Sequence, residues 1–305
     1  MKAIQFNSYG DSSVLQLKEI EAPLPKADEV LIKVVATTIN PFDIKNRSGA
    51  MKAFVPITFP FIPGTDASGM VEAVGSEVHR LKVGDLVFAT ATHGTYAEYV
   101  SIKESRVSLI PDHVSMNEAA ALAVPLNTAY SILVEAGNLH PDQRVLIHGA
   151  AGGVGSIVLQ MAKALGADVI ATASGSGLEL IQSLGANEVI DYKSQDFSSM
   201  VKDLDMVVDL VGGETQIKSY PLVKKNGKLL SIVMPTSDEL AEKYGISAQF
   251  ISATGDHKKL DFGKRLVDSN KIKVQIAKVM KIEEAAAAQD LLTAGGLNGK
   301  IILNF

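Results

Sequence analysis

The stretch Gly149-Ala150-Ala151-Gly152-Gly153-Val154-Gly155 constrains the fold of this chain more than any other. The apolar run Arg144-Val145-Leu146-Ile147-His148 leads into it, and the helical pattern from Ser156 to Gly166 leads out. Strand, glycine loop and helix in that order open a βαβ unit. Its glycines permit a tight turn and close approach to a pyrophosphate, which the unpaired N–H groups and positive dipole end of the helix then hold. The loop reads as a dinucleotide site; the alternative is an ordinary tight turn between a buried strand and a helix. Ala150 stands where the Gly-x-Gly-x-x-Gly pattern has its first glycine, and Gly152 and Gly155 fill the other two places. Ala151, Gly152, Gly153 and Val154 are the expected phosphate contacts.

The segment after this helix separates one cofactor from another. An NAD site places an Asp or Glu at the end of the second strand to bind the ribose 2′-hydroxyl. Here that strand, Asp168 to Ala173, ends in Ser174-Gly175-Ser176-Gly177, small and neutral. A 2′-phosphate beside Ser174 and Gly175 would meet no charge repulsion. No Arg or Lys in the loop clamps it, so NADP is favoured by the lack of an acid more than by the presence of a base.

A chain of 305 residues, 47% of them hydrophobic, suffices for two domains with sizeable cores. A net charge of −5 argues against nucleic acid as the main partner. With no cysteine there is neither a disulfide framework nor a thiolate metal site. Met1-Lys2-Ala3-Ile4-Gln5-Phe6 runs straight into a strand-like start without a charged-then-apolar leader, and apolar runs read as short and interrupted by charge. The expectation is a cytoplasmic protein with no membrane partner.

Residues 1 to about 115 alternate with the strand period and are punctuated by turn signals. Val30 to Ala36, Ser68 to Gly75 and Gly84 to Ala89 read as buried strands of a β-rich domain. From about Asn117 the texture turns to Ala-rich helix. Strand and helix then alternate, with strands expected at 145–149, 168–173, 187–190, 205–210, 228–233 and 246–251. Six such strands suit a doubly wound parallel sheet in an α/β fold. The last fifty residues offer a helix from Lys258 to Ser269, a strand from Ile276 to Met280, an Ala-rich helix from Glu283 and a strand from Lys300 to Asn304. Too short to bury a core alone, this tail is expected to fold back onto the first domain.

Asn40-Pro41-Phe42-Asp43-Ile44-Lys45-Asn46-Arg47-Ser48-Gly49, Pro63-Gly64-Thr65-Asp66-Ala67-Ser68-Gly69, Lys82-Val83-Gly84-Asp85, Gly94-Thr95-Tyr96-Ala97-Glu98-Tyr99 and the glycine loop occur in that order. Over nearly the whole chain this resembles the medium-chain dehydrogenase/reductase superfamily, and within it the zinc-free quinone oxidoreductase (ζ-crystallin-like) branch. The resemblance implies a GroES-like catalytic domain over 1–117 and 252–305, a Rossmann NADP-binding domain over 118–251, and NADPH held in the cleft between them. Members are often paired through the cofactor domain, which makes a homodimer the expectation.

The zinc-dependent alcohol dehydrogenases of the superfamily place a Cys near Asn40 and a Gly-His-Glu at the Gly64-Thr65-Asp66 position, and both ligand positions are lost here. The six histidines are scattered without ligand spacing, and a catalytic zinc needs about three converging protein ligands. His148, beside the glycine loop, reads as a satisfied core residue. Without a Lewis acid, electron-poor acceptors such as quinones or α,β-unsaturated carbonyls are better substrates than alcohols, because they take hydride at carbon once the nicotinamide is held close.

The resemblance also assigns residues. Asn40 falls near the nicotinamide, either as a donor to substrate or as a structural residue before Pro41. Lys45 stands where some quinone oxidoreductases carry a pocket tyrosine; it either stabilises an enolate electrostatically or is a solvated surface lysine. Thr128 matches a threonine at the nicotinamide end, or is an N-terminal helix contact. Tyr192 matches a tyrosine near the adenosine 2′-phosphate, with Lys193 adding charge, or is simply packing. Val211, Ser231, Phe250 and Ile251 fall at ends of later strands, where open α/β sheets bind ligands, with plain core as the alternative for Phe250. Asn298 belongs to a segment that returns to the nicotinamide. Together these imply an NADPH-dependent, zinc-independent quinone or enone reductase. Two alternatives stand beside it: an alkenal/enone carbon–carbon double-bond reductase, and an NADPH-binding sensor or structural protein with little catalysis.

Overall fold

The computed structural model describes residues 1–305. In chain order the elements begin with β1 (Lys2–Gln5), β2 (Gln16–Glu19), β3 (Glu29–Thr38), α1 (Pro41–Ser48), β4 (Asp66–Val74), β5 (Leu86–Thr90), β6 (Tyr99–Lys103), β7 (Val107–Leu109) and α2 (Met116–Tyr130). There follow β8 (Arg144–Ile147), α3 (Gly155–Ala164), β9 (Asp168–Ala173), α4 (Ser176–Ser183), β10 (Glu188–Asp191), α5 (Phe197–Met200), β11 (Leu204–Asp209), α6 (Gly213–Ser219) and β12 (Val223–Ser231). The chain closes with α7 (Asp238–Tyr244), β13 (Ser247–Phe250), α8 (His257–Asp268), β14 (Ile276–Lys281), α9 (Ala285–Ala294) and β15 (Lys300–Asn304).

Two compact units result. The first comprises Met1–Val124, Gly255–Lys264 and Gln275–Phe305; the second comprises Pro125–Thr254 and Arg265–Val274. Residues 118–124, 252–254 and 265–274 thus group differently from the boundaries expected at 117 and 252, and two of the divisions fall inside helices α2 and α8. Inside the second unit the stretch after α8 is tied to α3: Gln160 Nε2 donates to the Lys273 carbonyl and Gln160 Oε1 accepts from the Lys273 N–H.

The first unit is built on a seven-stranded sheet ordered β14-β15-β3-β4-β5-β7, with β6 also paired to β3. All pairs are antiparallel except β14–β15. Alternation along β3 buries Val30, Ile32 and Val34 against Val71, Val87, Val100 and Ile102. A second cluster packs Ile4, Ile39 and Tyr96 with Met280, Ile282, Ala285, Ile301 and Leu303, so the C-terminal tail supplies most of a core it could not form alone.

The second unit carries a six-stranded parallel sheet ordered β10-β9-β8-β11-β12-β13. The first strand of the set lies centrally and the order reverses on either side of it, between β8 and β11. Ligands bind outside the carboxyl ends of such strands at that reversal. The central strands β8 and β9 are almost wholly buried, and Leu146, Ile170, Ile190, Val207 and Leu229 meet in one core beneath the sheet, whereas β13 at the edge has no buried residue. β12 begins earlier than expected: Lys224-Lys225-Asn226-Gly227 reads as a turn, yet it stays in the strand as an irregularity, with Asn226 at φ 65° and a register shift against β11.

One expectation is corrected. Met116–Ala136 is a continuous helical run of 21 residues, long and apolar enough by composition to cross a membrane. Its apolar character serves the interior, for 72% of the most apolar window is buried inside the fold.

Candidate functional site

In the second unit the expected cofactor residues gather at one end of the parallel sheet. Gly149–Val154 link β8 to α3, with Gly149 at φ 69°. No side chain caps α3, and the N–H groups of Ala151, Gly153, Val154 and Gly155 have no partner within the chain. The glycines divide the work. A Cβ at Gly155 would collide with the Gly149 carbonyl oxygen and the Ala150 backbone, so this glycine lets helix pack on loop. A Cβ at Gly152 would meet only the Gly149 oxygen, at 3.4 Å, so that face of the loop is open. A bare concave backbone with unmatched amides fits a pyrophosphate.

Around this loop, Ser174 and Gly175 follow β9, and Ser174 Oγ donates to the Tyr192 hydroxyl at 2.9 Å, bringing the ends of β9 and β10 together. Gly175 has φ 56° and open space where a Cβ would stand. Tyr192 and Lys193 are exposed, and the Lys193 N–H is held by Asp191 at 3.0 Å. Val211, just past β11, stands beside Gly149 across the reversal of strand order. Phe250 ends β13 about half exposed, and the Ile251 N–H donates to the Ser231 carbonyl. Thr128 is buried in α2.

Ser231 is differently employed. Its hydroxyl donates to Oδ2 of Asp209, a buried carboxylate that also accepts from Gln216 Nε2 and from the Val211 and Gly212 N–H groups. Asp209 was not among the expected residues, yet it shapes the turn carrying Val211; an aspartate closing a strand before Leu210-Val211-Gly212-Gly213 is its signal. His148 is a core residue, its ring nitrogens hydrogen-bonded to Thr172 at 3.1 Å and Ser219 at 3.0 Å. Burial pushes its pKa down to about 4.

The other expected residues lie in the first unit. Asn40 precedes α1, where Asp43 Oδ2 reaches back to accept from the Asn40 N–H at 2.8 Å. Asp43 is buried, accepts from the Gly64 N–H and the Tyr96 hydroxyl as well, and has its pKa raised to about 7, chiefly by burial and then by the charge of Asp66. The Asn40 side chain is fully engaged: Nδ2 donates to Asp66 Oδ2 at 2.7 Å and Thr65 Oγ1 at 3.0 Å, while Oδ1 accepts from Lys300 Nζ at 2.6 Å. With both amide protons engaged, donation from Asn40 to a substrate would require breaking one of these bonds. Lys45 is exposed on α1, and Asn298 lies in the segment between α9 and β15.

Lys300, Asp66 and Thr38 complete this cluster and were not expected. A lysine opening a strand reads as exposed, and nothing local pairs it with residues some 260 positions away. The clue was present at Thr65-Asp66, the altered metal-ligand position. Zinc can be tested against the donors that stand there. An amide, a hydroxyl and a carboxylate replace sulfur and imidazole, and an ammonium already contacts Asn40 Oδ1 and Asp66 Oδ2, at 2.6 and 3.2 Å. No group of three or more His, Cys, Asp or Glu side chains in the chain could hold a metal. The residues do not fit zinc.

Residues 26–112 match the family model described as alcohol dehydrogenase GroES-like domain, and residues 184–303 the one described as zinc-binding dehydrogenase. The chain is 33% identical to a chloroplast envelope quinone oxidoreductase homolog of Arabidopsis thaliana, over 99% of this chain and 98% of that protein. It is 41% identical to a 2-methylene-furan-3-one reductase of Solanum lycopersicum over 75% of this chain, a match spanning 61% of that protein's length. Among solved structures, the Escherichia coli quinone oxidoreductase complexed with NADPH superposes with a TM-score of 0.91 at 28% identity, each chain covered completely. The quinone oxidoreductase of Coxiella burnetii gives 0.91 at 32% identity, covering 100% of this chain and 99% of that one. A GroES-like domain joined to a doubly wound nucleotide-binding sheet defines the class. The chain belongs to the medium-chain dehydrogenase/reductase superfamily, in its zinc-free quinone oxidoreductase branch.

Proposed function

We propose that this chain is an NADPH-dependent, zinc-independent reductase that passes hydride to quinones or activated enones. The observation that carries the reading is the uncapped, glycine-rich loop of four unmatched amides at the reversal of strand order. In this reading the amides of Ala151, Gly153, Val154 and Gly155 hold the pyrophosphate, with Gly152 keeping the approach open. Ser174, Gly175, Tyr192 and Lys193 receive the 2′-phosphate side, and the lack of an acid at the end of β9 favours NADPH over NADH. Val211, Ser231, Phe250 and Ile251 line the strand ends, and Thr128 and Asn298 serve the nicotinamide end.

When bound, NADPH supplies a hydride from its nicotinamide ring. The protein's part is orientation and charge. Asn40 holds the start of α1, and the exposed Lys45 ammonium stabilises negative charge developing on the acceptor oxygen, water supplying the proton that completes reduction. Enones are favoured beside quinones because relatives at 41% and 37% identity are named 2-methylene-furan-3-one reductase and NADPH-dependent alkenal/one oxidoreductase. A homodimer in the cytoplasm completes the reading.

The experiment is titration with NADPH and NADH, followed by NADPH oxidation with a quinone, an enone and, in reverse, a simple alcohol with NADP⁺. Turnover of quinone or enone that a chelator leaves unchanged is the expected result. Binding without oxidation would move the chain to the sensor or structural class.

A further inference from the structure

Lys300 is an unusual resident of a core. It opens β15, its side chain is 6% exposed, and Asp66 opposite it is 0% exposed. An ammonium removed from water is costly unless every proton finds an acceptor. Here three protons meet three oxygens: Asn40 Oδ1 at 2.6 Å, Asp66 Oδ2 at 3.2 Å and the Ile39 carbonyl at 3.4 Å.

The consequence falls on Asn40. A carboxamide is nearly symmetrical in shape but not in charge, and its two orientations differ only in what the neighbours demand. Turned over, the Asn40 NH2 would face the ammonium and its oxygen would face the Asp66 carboxylate, two repulsive contacts in place of two attractive ones. The Lys300–Asp66 pair therefore admits a single orientation. Asp66 is itself anchored by the Val124 N–H at 2.6 Å and the Thr38 hydroxyl, so the frame cannot follow if Asn40 turns. Asn40 precedes α1, the helix that carries Lys45.

We propose that Lys300 is a positioning residue, a buried cation between the Asn40 and Asp66 segments that locks the Asn40 carboxamide and the start of α1 in the geometry hydride transfer requires. This rests on the reductase reading above.

Three measurements test it. In the parent protein with isotope-labelled asparagine, the Asn40 side-chain amide protons exchange slowly with solvent and give one set of signals; rapid exchange or two sets overturns the proposal. In Lys300→Met/Asp66→Asn both buried charges go, which restores thermal stability relative to Lys300→Met alone but removes what orients Asn40. Its kcat with the acceptor falls about tenfold to a hundredfold while NADPH affinity stays near the parent's. A folded double variant with parental kcat overturns the proposal, since the pair would then serve only stability. Lys300→Arg keeps the charge in a different donor geometry; it retains NADPH affinity and loses kcat, and parental kcat in that variant again overturns it. Should the parent turn over neither quinone nor enone, the reductase reading fails, while the amide signals still decide whether Lys300 locks Asn40.

Discussion

Asp66 in the first unit and Asp209 in the second are both fully buried, and each accepts four hydrogen bonds, yet the donors differ in kind. Asp209 is surrounded by neutral groups: two backbone N–H groups, an amide and a hydroxyl. Asp66 has a backbone N–H, a hydroxyl and an amide, and then an ammonium. The first arrangement replaces water with dipoles that shape a turn; the second stores a charge pair that dictates which way a neighbouring amide points. The second unit leaves backbone amides unmatched at the glycine loop, whereas the charged cluster of the first unit is matched within itself. Recognition rests on what the chain leaves open, and geometry on what it closes.

The largest break in this contrast is expected at the glycine loop. Gly152→Val should weaken NADPH binding about a hundredfold or more with little change in melting temperature, because its side chain enters the open face. Gly155→Val should instead lower the melting temperature, since the collision is with the chain itself. Titration and thermal melts on the two variants separate ligand space from packing space.

Next come the two aspartates. Lys300→Met leaves a buried carboxylate without its cation and should cost about 3–5 kcal/mol in urea unfolding. Ser231→Ala removes one neutral donor from Asp209 and should cost about 1–2 kcal/mol. Equal losses would erase the distinction.

The pH dependence sharpens it further. Asp43, raised from 3.8 to about 7, holds its proton more tightly when folded, so its contribution is complete below pH 4 and lost as pH rises toward 7. His148, lowered from 6.5 to about 4, acts in the opposite sense: its contribution is present above pH 6.5 and lost as pH falls toward 4. The two slopes oppose each other over the same window. Asp43→Asn should leave the histidine unopposed and make unfolding free energy climb more steeply with pH between those values, as denaturant melts at a series of pH values would reveal.

Smaller effects are expected at the exposed residues. Lys45→Ala should lower kcat severalfold while leaving NADPH affinity unchanged; an unchanged kcat returns Lys45 to the solvated surface. Lys193→Ala should reduce the preference for NADPH over NADH by a few fold, and by less as salt rises, as competitive titration at two ionic strengths would show.

Much of this was legible before any fold was seen. The strands of the parallel sheet begin and end near where apolar runs meet glycine and serine, and the dinucleotide loop was legible because three glycines at Gly152, Gly153 and Gly155 stand between a strand and a helix, a density that an ordinary strand-to-helix turn does not need. The buried charges were not legible. Lys300-Ile301-Ile302-Leu303-Asn304 has the periodicity of any strand, and whether its lysine faces water depends on Asn40 and Asp66, which arrive from distant segments. Asn40 was legible as a position but not as a role, since its amide could be assigned only once Lys300 and Asp66 stood beside it. The early start of β12 was not legible for a local reason: Asn226 and Gly227 have the chemistry of a turn and are used for an irregularity inside a strand.

The end of β9 carries one more consequence. Ser174 has ordinary backbone geometry and a partner in the exposed Tyr192 hydroxyl, while Gly175 beside it has a left-handed φ that resists a side chain. In the NADPH reading proposed above, Ser174→Asp would turn away the phosphorylated ribose and welcome the plain one, with Tyr192 and Lys193 beside it setting how complete the switch is. On that reading, the choice of reducing currency would turn on the few side chains where β9 and β10 end.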